Sequence, residues 1–389
     1  MYEPGGQHNP NLVFLWPAFG AAMASEMAAV MARQFTKLAV GSEDEASVKQ
    51  PAWATAHTSA LELESVRLRD FSSRELPSRG FPTLLCAPFA LHGAVIADLA
   101  EDHSLIAALR AAGLSRLFVT DWRSATPDMC HRGIDDYLSD LNLLVDHIGA
   151  PIDLIGLCQG GFMALIYAAR FPQKVRKLVL AAAPIDISAG TSALSSIATA
   201  SPLALFHEIV RLGDGLVQGR RILKLWAPDA VEAEDIRQLL QTEEPAGSSA
   251  AARLDAVFRR WYAFTLDLPG RFFLDAVEKL YKRNELAAGS FVALGQKIEL
   301  ANMRAPLYLL AARDDELVAP AQLFAAEGLV GTAPHDLCKA TAPCRHLGLF
   351  MGKRVLRDVW PGVVRWILAP AVATEHEQFA ERRAIAAAH

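Results

Sequence analysis

Pro151-Ile152-Asp153-Leu154-Ile155-Gly156-Leu157-Cys158-Gln159-Gly160-Gly161 is the stretch that decides the fold. Residues 151–157 form a short, nearly unbroken apolar run, the signature of a parallel strand buried on both faces. From Gly161 to Arg170 the chain turns helix-like, and Pro172 closes that helix. Between the two, Gly156 and Gly160 flank Cys158 at the spacing of a strand-turn-helix elbow. Two small residues there let the chain reverse sharply without striking its neighbours, which lifts the middle residue to the start of the helix. A free cysteine is ordinarily a buried structural residue. On a strand-turn-helix tip it is instead placed to act as a nucleophile.

A nucleophile of this kind needs a base and an acid to orient that base, and in such a chain both follow it in sequence, acid first. Pro306 to Ala312 reads as a late buried strand, and Arg313-Asp314-Asp315-Glu316-Leu317-Val318-Ala319-Pro320 as the loop after it. Asp315 is the expected acid, with Asp314 as its alternative and Glu316 expected to be solvated. A further strand, Asp336 to Thr341, leads to Pro343-Cys344-Arg345-His346-Leu347-Gly348, and His346 is the expected base. Of the eleven histidines it is the one in the loop after the acid. The oxyanion hole is expected to combine the backbone N–H of Gln159 with that of Phe89 or Ala90, which follow the strand Pro82 to Ala87. His92, followed by Gly93, reads either as part of that loop's function or as a turn.

Working outward, further strands are expected at Thr83 to Ala87, Arg116 to Thr120, Ile152 to Leu157, Lys177 to Ala183 and Leu307 to Ala312, with helical patterns between most of them. Leu61 to Leu68 alternates apolar and polar residues as an edge strand does. The fold class expected is α/β, an α/β-hydrolase fold with a mainly parallel sheet, helices on both faces and a helical cap insertion. Its divisions are a helical N-terminal segment (1–60), a first core part (61–186), the cap (187–300), a second core part (301–370) and a polar tail (371–389). Helices are expected within the cap at Pro202 to Leu212 and Arg271 to Tyr281. Arg220, Arg221 and Lys224, also within it, are candidates to meet the phosphates of an anionic acyl donor, or simply a solvated helix face.

The 389 residues are 52% hydrophobic and 21% charged, with a formal charge of −5 and a pI near 6.1. That balance argues against a nucleic-acid binder. Five scattered cysteines with no C-x-x-C pair fit a reducing compartment, and neither a zinc site nor a phosphate-binding glycine fingerprint is present. No metal or cofactor is expected. The 11–40 region is apolar, but Glu26, Arg33 and Lys37 interrupt it, so an amphipathic helix is expected there and a transmembrane segment is not. The expected location is the cytoplasm, at a granule surface if the amphipathic helix serves one.

With elbow, acid and base in place, the chain resembles the superfamily of poly(3-hydroxyalkanoate) synthases and intracellular polyhydroxyalkanoate depolymerases over most of 61–368. Gly156-Leu157-Cys158-Gln159-Gly160-Gly161, Ala168-Ala169-Arg170-Phe171-Pro172 and Asp121-Trp122 are similar to the two-subunit synthases. So are Ala87-Pro88-Phe89 and Glu101-Asp102-His103-Ser104-Leu105. Leu268-Pro269-Gly270-Arg271-Phe272 and His346-Leu347-Gly348-Leu349-Phe350 are similar to the depolymerases. Arg345 stands where synthases carry glycine. The resemblance implies a Cys-His-Asp triad of Cys158, His346 and Asp315. It implies as partners 3-hydroxyacyl-CoA or the polymer, a polyester granule surface, and a second synthase subunit or a homodimer, with coenzyme A as substrate or product. Cysteine favours synthesis, because a thioester intermediate keeps the acyl group activated. A polymer depolymerase, a small-molecule esterase or thioesterase, and a non-enzymatic granule-binding protein are the alternatives.

Overall fold

Six strands, most of them apolar runs, make the parallel part of one eight-stranded sheet in the computed structural model, which describes residues 49–73, 80–226 and 232–370. The strands are β1 (Thr58–Glu62), β2 (Val66–Asp70), β3 (Thr83–Cys86), β4 (Leu117–Trp122), β5 (Ile152–Leu157), β6 (Val175–Ala181), β7 (Leu307–Ala312) and β8 (Leu337–Ala342). They lie in the order β1-β2-β4-β3-β5-β6-β7-β8, antiparallel at β1-β2-β4 and parallel from β4 onward. Parallel neighbours end at the same edge, and the register that sets Cys86 beside Gly156 and Leu157 beside Ala181 brings the loops after β3, β5 and β6 together there.

Side chains alternate across the sheet with the period of two that a strand imposes. Leu84, Leu154, Leu178 and Leu309 face one buried layer, shared with helices α2 (Ile134–Ile148) and α3 (Gln159–Arg170). Leu85, Ile155, Val179 and Leu310 face the other, shared with α1 (Leu105–Ala111) and the C-terminal helix. In α2 the buried positions are Ile134, Tyr137, Leu138, Leu141, Leu144, Val145 and Ile148, one continuous apolar stripe.

After β6 the chain contributes nothing to the sheet until β7. It forms α4 (Ala193–Ala200), α5 (Leu203–Leu212), α6 (Gly219–Trp226), α7 (Ala233–Leu240), α8 (Ser249–Ala263) and α9 (Gly270–Asp275), the last continuing as a π-helix over Ala276–Lys282. Of the described residues, 221–226 belong to a separate compact unit and the others to one unit that includes the sheet. Beyond β7 come α10 (Pro320–Phe324), α11 (Gly348–Met351), α12 (Lys353–Asp358) and α13 (Trp360–Leu368). Buried Lys177 on β6 fastens α13, its ammonium donating to the carbonyls of Trp366 (2.7 Å), Ile367 (3.2 Å) and Ala369 (2.7 Å). Those are carbonyls that a helix end leaves without intrahelical partners.

One expectation is corrected. Leu61 to Leu68 is not a single edge strand but parts of two, β1 and β2, joined by a tight turn in which Leu63 N donates to Val66 O at 2.8 Å. The alternation of the sequence runs on through Glu64-Ser65, so the pattern conceals the reversal. The amphipathic stretch at 11–40 and the tail at 371–389 lie outside the described residues. Among the described residues no single helix is long and apolar enough to cross a membrane.

Gly160 is the tightest point of the elbow: a Cβ there would come closer than 3.0 Å to the carbonyl oxygens of Cys86 and Ala87. Because those atoms belong to the end of a central strand and the pinned residue after it, Gly160→Ala is expected to cost about 3 kcal/mol. Thermal unfolding checks this, and an unshifted Tm would contradict the packing described.

Candidate active site

Cys158 sits between β5 and α3 with φ 48° and ψ −121°, a conformation disfavoured for a residue with a Cβ. Packing on either side imposes it. Added Cβ atoms at Gly156 and Gly161 would also fall within 3.0 Å of neighbours, Gly156 against Gly161 and Ala164, and Gly161 against Ala183. The chain is held from below by Cys158 N donating to Ala181 O at 2.8 Å. The thiol is thereby set at the N-terminus of a 12-residue helix, whose dipole and unpaired N–H groups favour negative charge.

Two further loops meet it. His346 is 2% exposed, and its Nδ1 lies 2.9 and 2.8 Å from the two carboxylate oxygens of Asp315, whose side chain is 1% exposed. Asp315 is fixed in turn, its Oδ1 accepting from Leu317 N at 2.9 Å and Val318 N at 2.8 Å. With Nδ1 committed to Asp315, Nε2 is the imidazole nitrogen left to serve Cys158, which lies close enough to act on the ring. Burial alone would lower the His346 pKa, but the charge of Cys158 and the hydrogen bonds to Asp315 and Cys158 outweigh it and hold it well above the ordinary histidine value. Asp314, the alternative acid, is 56% exposed at its side chain and pairs with Arg313. Glu316 is not simply solvated, as the sequence led us to expect. Its carboxylate pairs with Arg345 at 3.3 Å and accepts from His346 N at 3.3 Å, joining the acid loop to the base loop.

The loop after β3 packs over the elbow. The Phe89 ring is buried among Trp122, Tyr137 and Phe272, and Phe89 N donates to Gln159 Oε1 at 2.7 Å. Phe89 N–H, one expected oxyanion donor, is therefore engaged, while Gln159 N–H lies in the first turn of α3, where a helix provides no partner. Ala90 adjoins it and is part-buried. His92 takes no part in the Cys158 cluster. Its Nδ1 donates to Phe264 O at 3.2 Å, its ring packs at a tilt against Trp261 and Tyr262, and burial pushes its pKa down to about 4 against the opposing pull of that carbonyl. Arg220 is exposed and Arg221 part-buried on α6, whereas the side chain of Lys224 lies outside the described residues. A pocket of about 240 Å³ lined by Arg170, Lys297, Glu299 and Arg304 lies at the far end of α3 and includes no residue of the cluster.

Sequence reasoning missed two groups. Tyr281, on the π-helix, has its hydroxyl pKa raised by burial and by neighbouring Cys158. The Gln159 side chain, read only for its backbone, reaches Phe89. A π-helix leaves no mark in the spacing of apolar residues, and a polar side chain one residue past the nucleophile gives no sign of where it folds back.

A cysteine on a glycine-lined elbow after the fifth strand of this sheet, backed by a histidine and an aspartate from later loops, defines an α/β hydrolase. The family model described as alpha/beta hydrolase fold matches residues 99–353, and the chain belongs to that family. It is similar to the poly(3-hydroxyalkanoate) polymerase subunit PhaC of Allochromatium vinosum, 26% identical over 278 residues covering 69% of this chain and 76% of that one. It is similar also to the subunit of that name from Synechocystis, 28% identical over 281 residues covering 69% of this chain and 73% of that one. Among solved structures, a monoacylglycerol lipase of Paleococcus ferrophilus aligns with a TM-score of 0.49 at 15% identity, over 78% of this chain and 98% of that chain.

His92 gives a pH test of this packing. Its folded pKa lies below the ordinary value near 6.5, so the unfolded chain binds the proton first, and stability falls as pH drops from about 6.5 toward 4. Melting temperatures of wild type and His92→Gln over that window are expected to show a shallower loss in the variant. Parallel curves would contradict a neutral, buried His92.

Proposed function

We propose that the chain is a poly(3-hydroxyalkanoate) synthase-like acyltransferase, moving 3-hydroxyacyl groups from coenzyme A through an S-acyl intermediate on Cys158. The observation that carries this reading is an elbow cysteine paired with His346 and Asp315, in a chain similar to polymerase subunits over more than two thirds of its length. In this reading His346 Nε2 takes the proton of Cys158 Sγ, while Asp315 holds Nδ1–H and stabilises the imidazolium. The sulfur attacks the thioester carbonyl, and the oxyanion is met by backbone N–H donors from Gln159 and the Phe89-Ala90 loop. As the carbonyl re-forms, the carbon–sulfur bond to coenzyme A breaks and His346 returns its proton to the departing thiol. A hydroxyl of a second 3-hydroxyacyl group or of the growing chain then loses its proton to His346 and attacks the S-acyl carbon. An ester forms, and the proton passes back to Cys158.

Cysteine suits that sequence of steps. The first transfer exchanges one thioester for another, so the driving force of the coenzyme A thioester is kept for making the ester bond. A serine nucleophile would release it one step early.

The test is coenzyme A release from 3-hydroxybutyryl-CoA by the full chain, with insoluble polymer and free 3-hydroxybutyrate measured in parallel. Polymer is expected, with Cys158→Ala and His346→Gln each lowering release by about 1,000-fold or more. Free acid without polymer would make the protein a hydrolase, and release that survives Cys158→Ala would overturn the reading.

A further inference from the structure

Phe89 N–H donates to Gln159 Oε1, on the residue that follows the elbow cysteine, at 2.7 Å. That is within the distance an oxyanion-hole donor keeps from the oxygen it stabilises. The amide has one workable orientation, since reversing it would set N–H against N–H. Its other end is unsatisfied, because Gln159 Nε2 is buried and has no hydrogen-bond partner. A dry, unpaired amide is an unfavourable arrangement. The side chain is therefore kept in place by its bond to Phe89 and not by what surrounds its nitrogen, and a rotation that brings Nε2 to water or to a ligand relieves it. The loop has no such freedom. Phe89 is wedged between Trp122, Tyr137 and Phe272, and Ala87 on the same loop is tied at both ends of its backbone, N to Thr120 Oγ1 and O from Trp122 Nε1, each at 2.9 Å.

We propose that Gln159 is a positioning residue of the oxyanion hole, its side-chain oxygen capping Phe89 N–H at rest and ceding it to the substrate's carbonyl oxygen. This rests on the acyl-transfer reading given above. The packing of the loop keeps the donor aimed and the cap keeps it dehydrated, so the second donor becomes available only when a carbonyl oxygen arrives to displace the cap. The same contact competes with substrate, so abolishing it speeds attack on a carbonyl.

Two reagents separate this from a structural role. p-Nitrophenyl acetate acylates Cys158 through a tetrahedral oxyanion, whereas iodoacetamide alkylates the same sulfur by displacement with no oxyanion. In Gln159→Met, which keeps the bulk without the acceptor, and in Gln159→Ala, the p-nitrophenol burst rate is expected to rise about 2- to 10-fold, the worth of one competing hydrogen bond. Iodoacetamide alkylation of Cys158 and the melting temperature are expected to stay at the wild-type values in at least one of the two. A slower burst would show that the amide supports the hole and does not compete for it, and an unchanged burst would show that Phe89 N–H is not a donor; either overturns the proposal. Should wild type be alkylated at Cys158 yet give no burst, the acyl-transfer reading itself fails and this inference with it.

Discussion

Everything around Cys158 depends on how closely α3 approaches β3 and β6. At Gly160 the helix backbone comes against the carbonyls of Cys86 and Ala87, and at Gly161 against Ala183, with no room for a side chain at either position. Only such an approach leaves the chain too little length to turn in an ordinary conformation, so Cys158 takes a positive φ, which costs roughly 1–3 kcal/mol. The sheet sustains that strain through pairing on both sides of β5, unbroken from Asp153 to the elbow on its β6 side. What the strain secures is position. The sulfur stands clear of the strand, at a helix N-terminus, at the edge where the parallel strands all end.

His346 and Asp315 are placed by the same edge. Asp315 follows β7, held by the N–H groups of Leu317 and Val318, and His346 follows β8, held by Glu316 through its backbone N–H. Neither side chain is exposed to solvent to any extent, so the interaction between them acts in a medium of low dielectric, where a charge-assisted hydrogen bond is strong and an unpaired partner is costly. The raised pKa of His346 follows from this arrangement: the ring is buried, which alone would lower it, yet Cys158 is near and the ring's Nδ1 faces the Asp315 carboxylate.

Much of this was legible in the sequence, for identifiable reasons. Parallel strands are buried on both faces, so Ile152 to Leu157, interrupted only by Asp153, and Leu307 to Ala312 read as apolar runs and match the observed strands to the residue. The elbow was legible because only glycine fits at 156 and 160. The order of acid and base after the nucleophile singled out two loops, and the structure places Asp315 and His346 of those loops in contact. Legibility ended where geometry is made by tertiary contact. The β1-β2 turn at Glu64-Ser65 preserves the alternation of its flanks, Glu316 finds Arg345 only after two loops converge, and Tyr281 is brought to Cys158 by a π-helix. The return of Gln159 to Phe89 joins residues 70 positions apart. No periodicity encodes such a contact.

Acyl transfer through Cys158 leaves a covalent trace, which intact-protein mass spectrometry of the full chain, rapidly quenched after mixing with 3-hydroxybutyryl-CoA, would detect. The account predicts one added 3-hydroxybutyryl mass, mapped by peptide digestion to Cys158 and labile to hydroxylamine as a thioester is. Coenzyme A release with no adduct on Cys158, or an adduct on any other residue, would contradict it.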